Sequence, residues 1–176
     1  MKSSVPSGSR MSVKNLFTPG KPCMDYHKHY LNQLYPLQDK FLKFFNQYNN
    51  GLFYLTGGTA LSRFYFQHRY SDDLDFFSMD ELKDFRPIIN KFLNSMKKEN
   101  FTIETETVSD HFLRIFLKDN ETSLKIDFVN EVAFHWGEFK NFPFFSHVDN
   151  AMNILANKMT CISRHEVKDI ADIKLN

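Results

Sequence analysis

The sequence predicts one α/β (α+β) domain, in which a mixed β-sheet is flanked by helices and followed by a short C-terminal helical appendage. Two observations support this. Apolar residues recur at helical spacing before residue 49 and between residues 82 and 96, whereas short β-rich runs occupy much of the remaining chain. The 176 residues suffice for one domain with a substantial core, and no repeat or internal linker divides them.

The first half of the chain is predicted to alternate between helices and strands. Pro36 interrupts the first helical pattern, so we expect either two helices or one helix that restarts there. The predicted elements are a helix over 25–48, a strand over 52–56, a helix over 57–66, a strand over 73–77 and a helix that follows the capping residues 78–81.

The second half is predicted to contain three strands and a helical end. Asp119-Asn120 is a turn signal between the second and third of these strands, which indicates a hairpin. The predicted elements are strands over 101–108, 112–117 and 124–129, an irregular aromatic segment over 133–147, and helices over 150–162 and 166–175.

Three regions follow from this order. Residues 1–22 are rich in Ser, Gly, Pro and Lys and are expected to form a flexible N-terminal tail. Residues 23–135 form the predicted core, and residues 136–176 contain the aromatic loop and the C-terminal helices.

Composition sets limits on location and partners. The formal net charge of +1 neither demands nor excludes a nucleic-acid partner. The two cysteines, Cys23 and Cys161, are far apart without metal-ligand spacing, which favours a reducing cytoplasm over a disulfide framework. Since no signal peptide or membrane span is recognisable, we expect a soluble, cytoplasmic protein without membrane partners.

Two aspartates stand two residues apart in the apolar stretch predicted as the second strand. Because side chains at i and i+2 of a strand leave the same face, Asp73 and Asp75 are expected to point into one site. Mg²⁺ takes oxygen ligands, usually one or two carboxylates completed by substrate phosphates and water. The pair is therefore a candidate magnesium site.

A third aspartate, Asp127, is the only acid in the apolar segment from Lys125 to Val129. Burying an acid is costly unless it has a partner such as a metal. A third carboxylate would help to hold a second metal ion or take a proton from an attacking hydroxyl.

A glycine pair, Gly57-Gly58, precedes the predicted helix over 57–66. Glycines let the backbone approach a ligand, and the N-terminus of a helix presents N–H groups and the positive end of its dipole. The Thr59 hydroxyl can add a bond to phosphate. A glycine turn beside an aspartate pair indicates a nucleotide-binding arrangement.

Each feature alone also has a purely structural interpretation. A Gly-Gly pair before a helix is often only a turn, an Asp-x-Asp pair can face solvent or cap a turn, and Asp127 alone is compatible with a salt-bridged acid at a sheet edge. Their joint occurrence at strand ends and strand faces, in an order that lets them converge, favours a functional site.

The chain also resembles a known family. Residues 57–61 (GGTAL) and 68–77 (HRYSDDLDFF) resemble the signature of the AbiEii/AbiGii toxin-like nucleotidyltransferases, of the DNA polymerase β-like nucleotidyltransferase superfamily. Asp127, the Ala-Asn-Lys run ending at Lys158, Arg164 and the Lys-Asp-x-x-Asp segment over 168–172 resemble its later motifs. The resemblance covers about residues 50–176.

The resemblance implies a role for each matched position. It assigns two Mg²⁺ ions to Asp73, Asp75 and Asp127, with Asp127 as a possible acceptor of the attacking hydroxyl's proton. The positions implied to bind the nucleotide triphosphate are Gly57, Gly58, Thr59, Arg69 and Lys158. Arg69 has an equal alternative as a clamp on Asp72 or Asp73, and Arg164, Lys168, Asp169 and Asp172 are secondary candidates.

The implied function is transfer of a nucleoside monophosphate from an NTP to an acceptor hydroxyl. The resemblance implies a toxin of a toxin–antitoxin or phage-defence system, a tRNA or protein acceptor, and a cognate antitoxin. Family members usually continue beyond the segment 168–172, so acceptor recognition is expected to lie outside this chain. Two alternatives remain: a transferase with a small-molecule acceptor, and a non-catalytic nucleotide- or partner-binding module.

Overall fold

The computed structural model describes residues 26–132 and 134–160, which form a seven-stranded mixed sheet with helices. This confirms the predicted fold class. The predicted N-terminal tail over 1–22 and the predicted helix over 166–175 lie outside the described residues.

The sheet combines parallel and antiparallel pairs in the order β3-β4-β5-β2-β1-β7-β6. Its centre consists of β2, which pairs in parallel with β5 and antiparallel with β1. The strands are β1 (Phe53–Thr56), β2 (Leu74–Ser78), β3 (Thr102–Val108), β4 (Phe112–Asp119), β5 (Thr122–Val129), β6 (Lys140–Phe142) and β7 (Phe145–Val148).

Pro36 lies within one continuous helical run rather than between two separate helices. The run begins as α1 (Tyr26–His29), widens to a π-helical segment (Tyr30–Leu34) and continues as α2 (Tyr35–Tyr48). Pro36 stands at the start of α2, directly after the π-helical segment, so its missing N–H falls where the hydrogen-bond pattern of the run already changes. Of the two alternatives, two separate helices or one helix that restarts at Pro36, the structure matches the second.

The remaining helices connect the strands. The short helix α3 (Gly57–Thr59) follows β1 directly and continues as a π-helical segment (Ala60–Phe66), which ends where Gln67 adopts a left-handed conformation. Helix α4 (Phe85–Lys98) separates β2 from β3, and α5 (Ala151–Thr160) follows β7.

A phenylalanine cluster fills the core and accounts for much of the 20 Phe in the chain. Phe45 of α2 packs against Phe76, Phe92, Phe128 and Phe145, with ring centroids 4.8–5.7 Å apart. Phe76 and Phe128 are fully buried and stack across the parallel β2/β5 pair at 5.1 Å. The core therefore covers one face of the sheet and anchors the two strands that carry the aspartates.

Two predictions about local structure are wrong. The aromatic segment over 133–147 was predicted to be irregular but contains β6 and β7, because Phe145 and Val148 are fully buried and β7 pairs with β1. Residues 78–81 do not cap the next helix, since α4 begins at Phe85 after a turn. Its preceding residue, Asp84, makes no side-chain capping bond.

Among the described residues, no helix combines the length and apolarity needed to cross a bilayer.

Candidate active site

Strand alternation separates the core from a polar face of the sheet. Asp75 and Asp127 are register partners in the parallel β2/β5 pair, so their side chains leave the same face, opposite Phe76 and Phe128. Thr56 at the end of β1 is the register partner of Asp75 on its other side. The buried Phe residues thus fix the direction in which both carboxylates point.

Asp73 lies just before β2 and is held there from two sides. Its backbone carbonyl accepts a hydrogen bond from the Thr59 hydroxyl, and its Oδ2 lies 2.5 Å from Lys125 Nζ. Thr59 is buried and also hydrogen-bonds Ser71, with 2.8 Å between the hydroxyl oxygens. The Thr59 hydroxyl therefore fastens the start of β2 in this structure, and its contact with phosphate stays a prediction.

Asp75 lies at the centre of the polar face, against the backbone of Gly57. A Cβ on Gly57 would lie 2.3 Å from Asp75 Oδ2, and Gly57 has a φ of +76°. Burial raises the pKa of Asp75 to about 6, with further contributions from the charges of Asp73 and Asp127. Only a residue without a side chain fits between β1 and this carboxylate.

Asp127 is almost buried and pairs with an arginine that the sequence-based prediction missed. Arg114 on β4 is its register partner and donates Nε–H to Oδ1 and Nη2–H to Oδ2, both at 2.7 Å. This hydrogen bond raises the pKa of Arg114 above its usual range. The prediction of a salt-bridged acid describes this pair, although Asp127 lies inside the sheet rather than at its edge.

Two further cations lie near the glycine turn and the aspartates. Arg69 lies beside Gly58, where a Cβ would come within 2.5 Å of Nη2. Lys158 is partly buried on α5 and, together with Lys125, acts to lower the pKa of Asp75. Arg69 thus lies beside the glycine turn and Lys158 lies near Asp75, and the nucleotide-binding roles of both stay predictions.

A second buried carboxylate, Asp149, connects the site to α5 and also escaped prediction. Its Oδ2 accepts a hydrogen bond from Thr56 at 2.9 Å and its Oδ1 accepts one from Asn153 at 3.1 Å. His135 Nε2 lies 3.2 Å from Oδ1. Burial raises the pKa of Asp149. The cluster joins the end of β1, the aromatic segment and the helix that carries Lys158.

The secondary candidates Arg164, Lys168, Asp169 and Asp172 lie outside the described residues. Their predicted roles stay predictions.

The described residues offer a divalent cation two carboxylate ligands rather than three. Asp73 and Asp75 supply hard oxygen donors, and any side chain at position 57 would collide with Asp75 Oδ2. Within residues 26–132 and 134–160, no three His, Cys, Asp or Glu side chains lie close enough to hold a metal together. The structure thus brings together an aspartate pair, with Asp127 engaged by Arg114.

The raised pKa of Asp75 predicts that its carboxylate destabilises the metal-free fold at neutral pH. A folded-state pKa of about 6 against the usual 3.8 costs up to about 3 kcal/mol above pH 6, and this cost disappears as the pH falls towards 3.8. We expect Asp75→Asn to raise the melting temperature in EDTA at pH 7.5 by roughly 2–4 °C per kcal/mol, with a smaller gain at pH 4.5.

The matched control for this measurement is Asp80→Asn, which changes an exposed aspartate in the turn after β2. A gain in melting temperature that is equal for both variants, or that grows as the pH falls, would contradict the prediction for Asp75.

The comparisons with known proteins concern the family and the fold of the chain. The model of the family described as "Nucleotidyl transferase AbiEii toxin, Type IV TA system" matches residues 45–175. No curated protein matches the chain.

Solved structures share the fold at low sequence identity. JHP933 from Helicobacter pylori has a TM-score of 0.54 and 18% identity, over 78% of this chain and 63% of that protein. MenT4, a nucleotidyltransferase toxin from Mycobacterium tuberculosis, has a TM-score of 0.54 and 17% identity, over 79% of this chain and 56% of that protein. The Megavirus polyadenylate synthase has a TM-score of 0.51 and 12% identity, over 96% of this chain and 39% of that protein.

The chain therefore spans between 39% and 63% of the length of these three structures. At these identities the structural likeness establishes the fold, whereas the family match covers most of the chain and includes both the glycine pair and all three aspartates. The chain belongs to the AbiEii family of nucleotidyl transferase toxins.

Proposed function

We propose that this chain transfers a nucleoside monophosphate from an NTP to an acceptor hydroxyl, with Mg²⁺, as the toxin of a toxin–antitoxin system. The observation that carries the proposal is the position of Asp73 and Asp75 beside the Gly57-Gly58 turn, on the face of the sheet opposite the core. Phosphate-binding backbone and metal-binding carboxylates then meet at one point. The family match supports the same chemistry.

In the proposed reaction the acceptor oxygen forms a bond to the α-phosphorus of the NTP. The bond from that phosphorus to the oxygen bridging to the β-phosphate breaks, and pyrophosphate leaves with the electron pair. The hydroxyl proton leaves to a base or to solvent. A bound Mg²⁺ would neutralise phosphate charge, and Asp73 and Asp75 would hold it.

The remaining work of the protein is positioning and charge neutralisation. The first helical turn after Gly57 and Gly58 presents backbone N–H groups to the triphosphate. Lys158 adds a compact positive charge from α5, and Arg69 adds a second one beside Gly58. Asp149 holds α5 against β1 and thereby sets the distance between Lys158 and Asp75.

The physiological acceptor is proposed to be tRNA or a protein, and a cognate antitoxin is the proposed partner. The family description supports the toxin role and the antitoxin.

The test is incubation of the purified chain with each α-³²P-labelled NTP, Mg²⁺ and total RNA, followed by separation of RNA and protein. Label in the tRNA band or in protein supports the proposal, and EDTA must abolish it. Label only in added small-molecule hydroxyl acceptors would favour the small-molecule transferase. NTP binding without incorporation in any acceptor pool would favour the binding module and contradict the proposal.

A further inference from the structure

The pairing of Asp127 with Arg114 bears on how many metal ions this site holds. Arg114 meets Asp127 edge to edge, with one N–H directed at each carboxylate oxygen at 2.7 Å. A fork of this kind is the strongest geometry available to an arginine–carboxylate pair. The Asp127 side chain is only 9% exposed, so little of it remains open to another ligand.

The other two carboxylates are arranged differently. Lys125 Nζ lies 2.5 Å from Oδ2 of Asp73, and the Asp73 side chain remains one-third exposed. Asp75 is the register partner of Asp127 across the β2/β5 pair and follows Asp73 by two residues. Asp73 and Asp75 therefore supply the one or two carboxylates that a single Mg²⁺ usually takes.

We infer that the Arg114–Asp127 ion pair keeps Asp127 out of metal coordination, so that the described part of the site holds a single divalent cation, bound by Asp73 and Asp75. This inference rests on the proposed function. A second ion in such sites would lie roughly 3.5–4 Å from the first and needs carboxylate oxygens of its own. The described residues place no third carboxylate in a shared ligand group with the pair.

Arg114 can supply the charge that a second ion would otherwise bring. Its guanidinium is always protonated, and it is held on Asp127 by two hydrogen bonds. The side chain remains one-third exposed, and Nη1 lies 3.6 Å from Glu106 outside the fork. The pair thus has no net charge, and Asp127 needs no metal ion to neutralise it.

The test counts Mn²⁺ ions bound to the full chain in the presence of a non-hydrolysable α,β-methylene NTP. Equilibrium dialysis gives the number per chain, and electron paramagnetic resonance separates a single ion from a spin-coupled pair. We expect one ion and an uncoupled spectrum for the wild type. Asp127→Asn should keep this stoichiometry, while Asp75→Asn should lose the ion.

Variants of Arg114 test whether its ion pair with Asp127 is what limits the site to one ion. Arg114→Met frees the Asp127 oxygens and should allow a second, spin-coupled ion, whereas Arg114→Lys keeps a positive charge there and should still bind one. Arg86→Met is the matched control, because Arg86 pairs with exposed Asp110 at the surface and is not part of the site. Circular dichroism checks that each variant is folded.

Two ions or none in the wild type, or loss of an ion in Asp127→Asn, would overturn the inference even if Arg114→Met fails to fold. These counts do not depend on turnover. One bound ion without nucleotide transfer to any acceptor would contradict the proposed function and leave the inference intact. Two bound ions with nucleotide transfer would contradict the inference and support the proposed function.

Discussion

Asp75→Asn and Asp73→Asn are each expected to lower nucleotide transfer by at least about 10³-fold while leaving the fold intact. Both changes remove the anionic oxygen that the divalent cation needs, and the lost transition-state stabilisation amounts to several kcal/mol, where about 1.4 kcal/mol is a factor of ten. Asp75 lies on β2 between β1 and β5, and Asp73 lies just before β2 and pairs with Lys125. The measurement is the initial rate of α-³²P incorporation at saturating NTP.

The stability of the same variants separates loss of chemistry from loss of structure. Asp75→Asn should be inactive and also more stable than the wild type at neutral pH without metal, because burial raises the pKa of the native carboxyl to about 6. Asp80→Asn should retain wild-type rates. Wild-type activity in Asp73→Asn or Asp75→Asn would contradict the assignment of these ligands.

Gly57→Ala is expected to abolish transfer through a direct collision with a metal ligand. The new methyl group would lie 2.3 Å from Asp75 Oδ2, well inside van der Waals contact, and Gly57 also has the positive φ that L-residues avoid. Asp75 would have to move away from the position it shares with Asp73. We expect a loss of about 10²-fold or more in rate and a weaker Mn²⁺ affinity.

Gly51→Ala provides a control that carries the same backbone cost. Gly51 has a φ of +73°, close to that of Gly57, but a Cβ there meets only His147 Nε2 at 3.8 Å. Both variants should lose roughly 1–2 kcal/mol of stability, and only Gly57→Ala should lose transfer. Equal rates in the two variants would mean that the contact with Asp75 is irrelevant to the site.

Periodicity predicted the centre of the fold because that part of the sequence obeys local rules. Every second residue at the centre of β2 and β5 is a fully buried apolar one, and the alternation that buries Phe76 and Phe128 directs Asp75 and Asp127 to the other face. The helix over 57–66 was found for a related reason, since a glycine pair marks its start. For these elements local pattern and tertiary structure agree.

The strands β6 and β7 were missed because tertiary pairing decides them. They contain only three and four residues, and β7 is stabilised by burial of Phe145 and Val148 and by its pairing with β1. Runs this short carry too little periodicity to be distinguished from a loop. Their aromatic residues predicted burial without indicating the partner.

The two unpredicted cations at the site had a signal in the sequence. Lys125 is two residues before Asp127, so the argument that aligned Asp73 with Asp75 also places it on the polar face. The position of Arg114 follows from the hairpin, in which Asp119 pairs with Thr122 across the turn. Five residues back from Asp119 and five residues on from Thr122, Arg114 stands opposite Asp127. Asp149 had no such signal, because only the packing of β7 beside β1 brings it to Thr56.

The most direct test of nucleotidyl transfer compares two labels in the same NTP. With α-³²P label, the wild-type chain should transfer radioactivity to the acceptor in a reaction that EDTA and Asp75→Asn both abolish. With γ-³²P label, the acceptor should stay unlabelled and the radioactivity should appear in pyrophosphate. Acceptor labelled from the γ-position, or release of γ-phosphate as orthophosphate without α-label in any acceptor, would contradict the account.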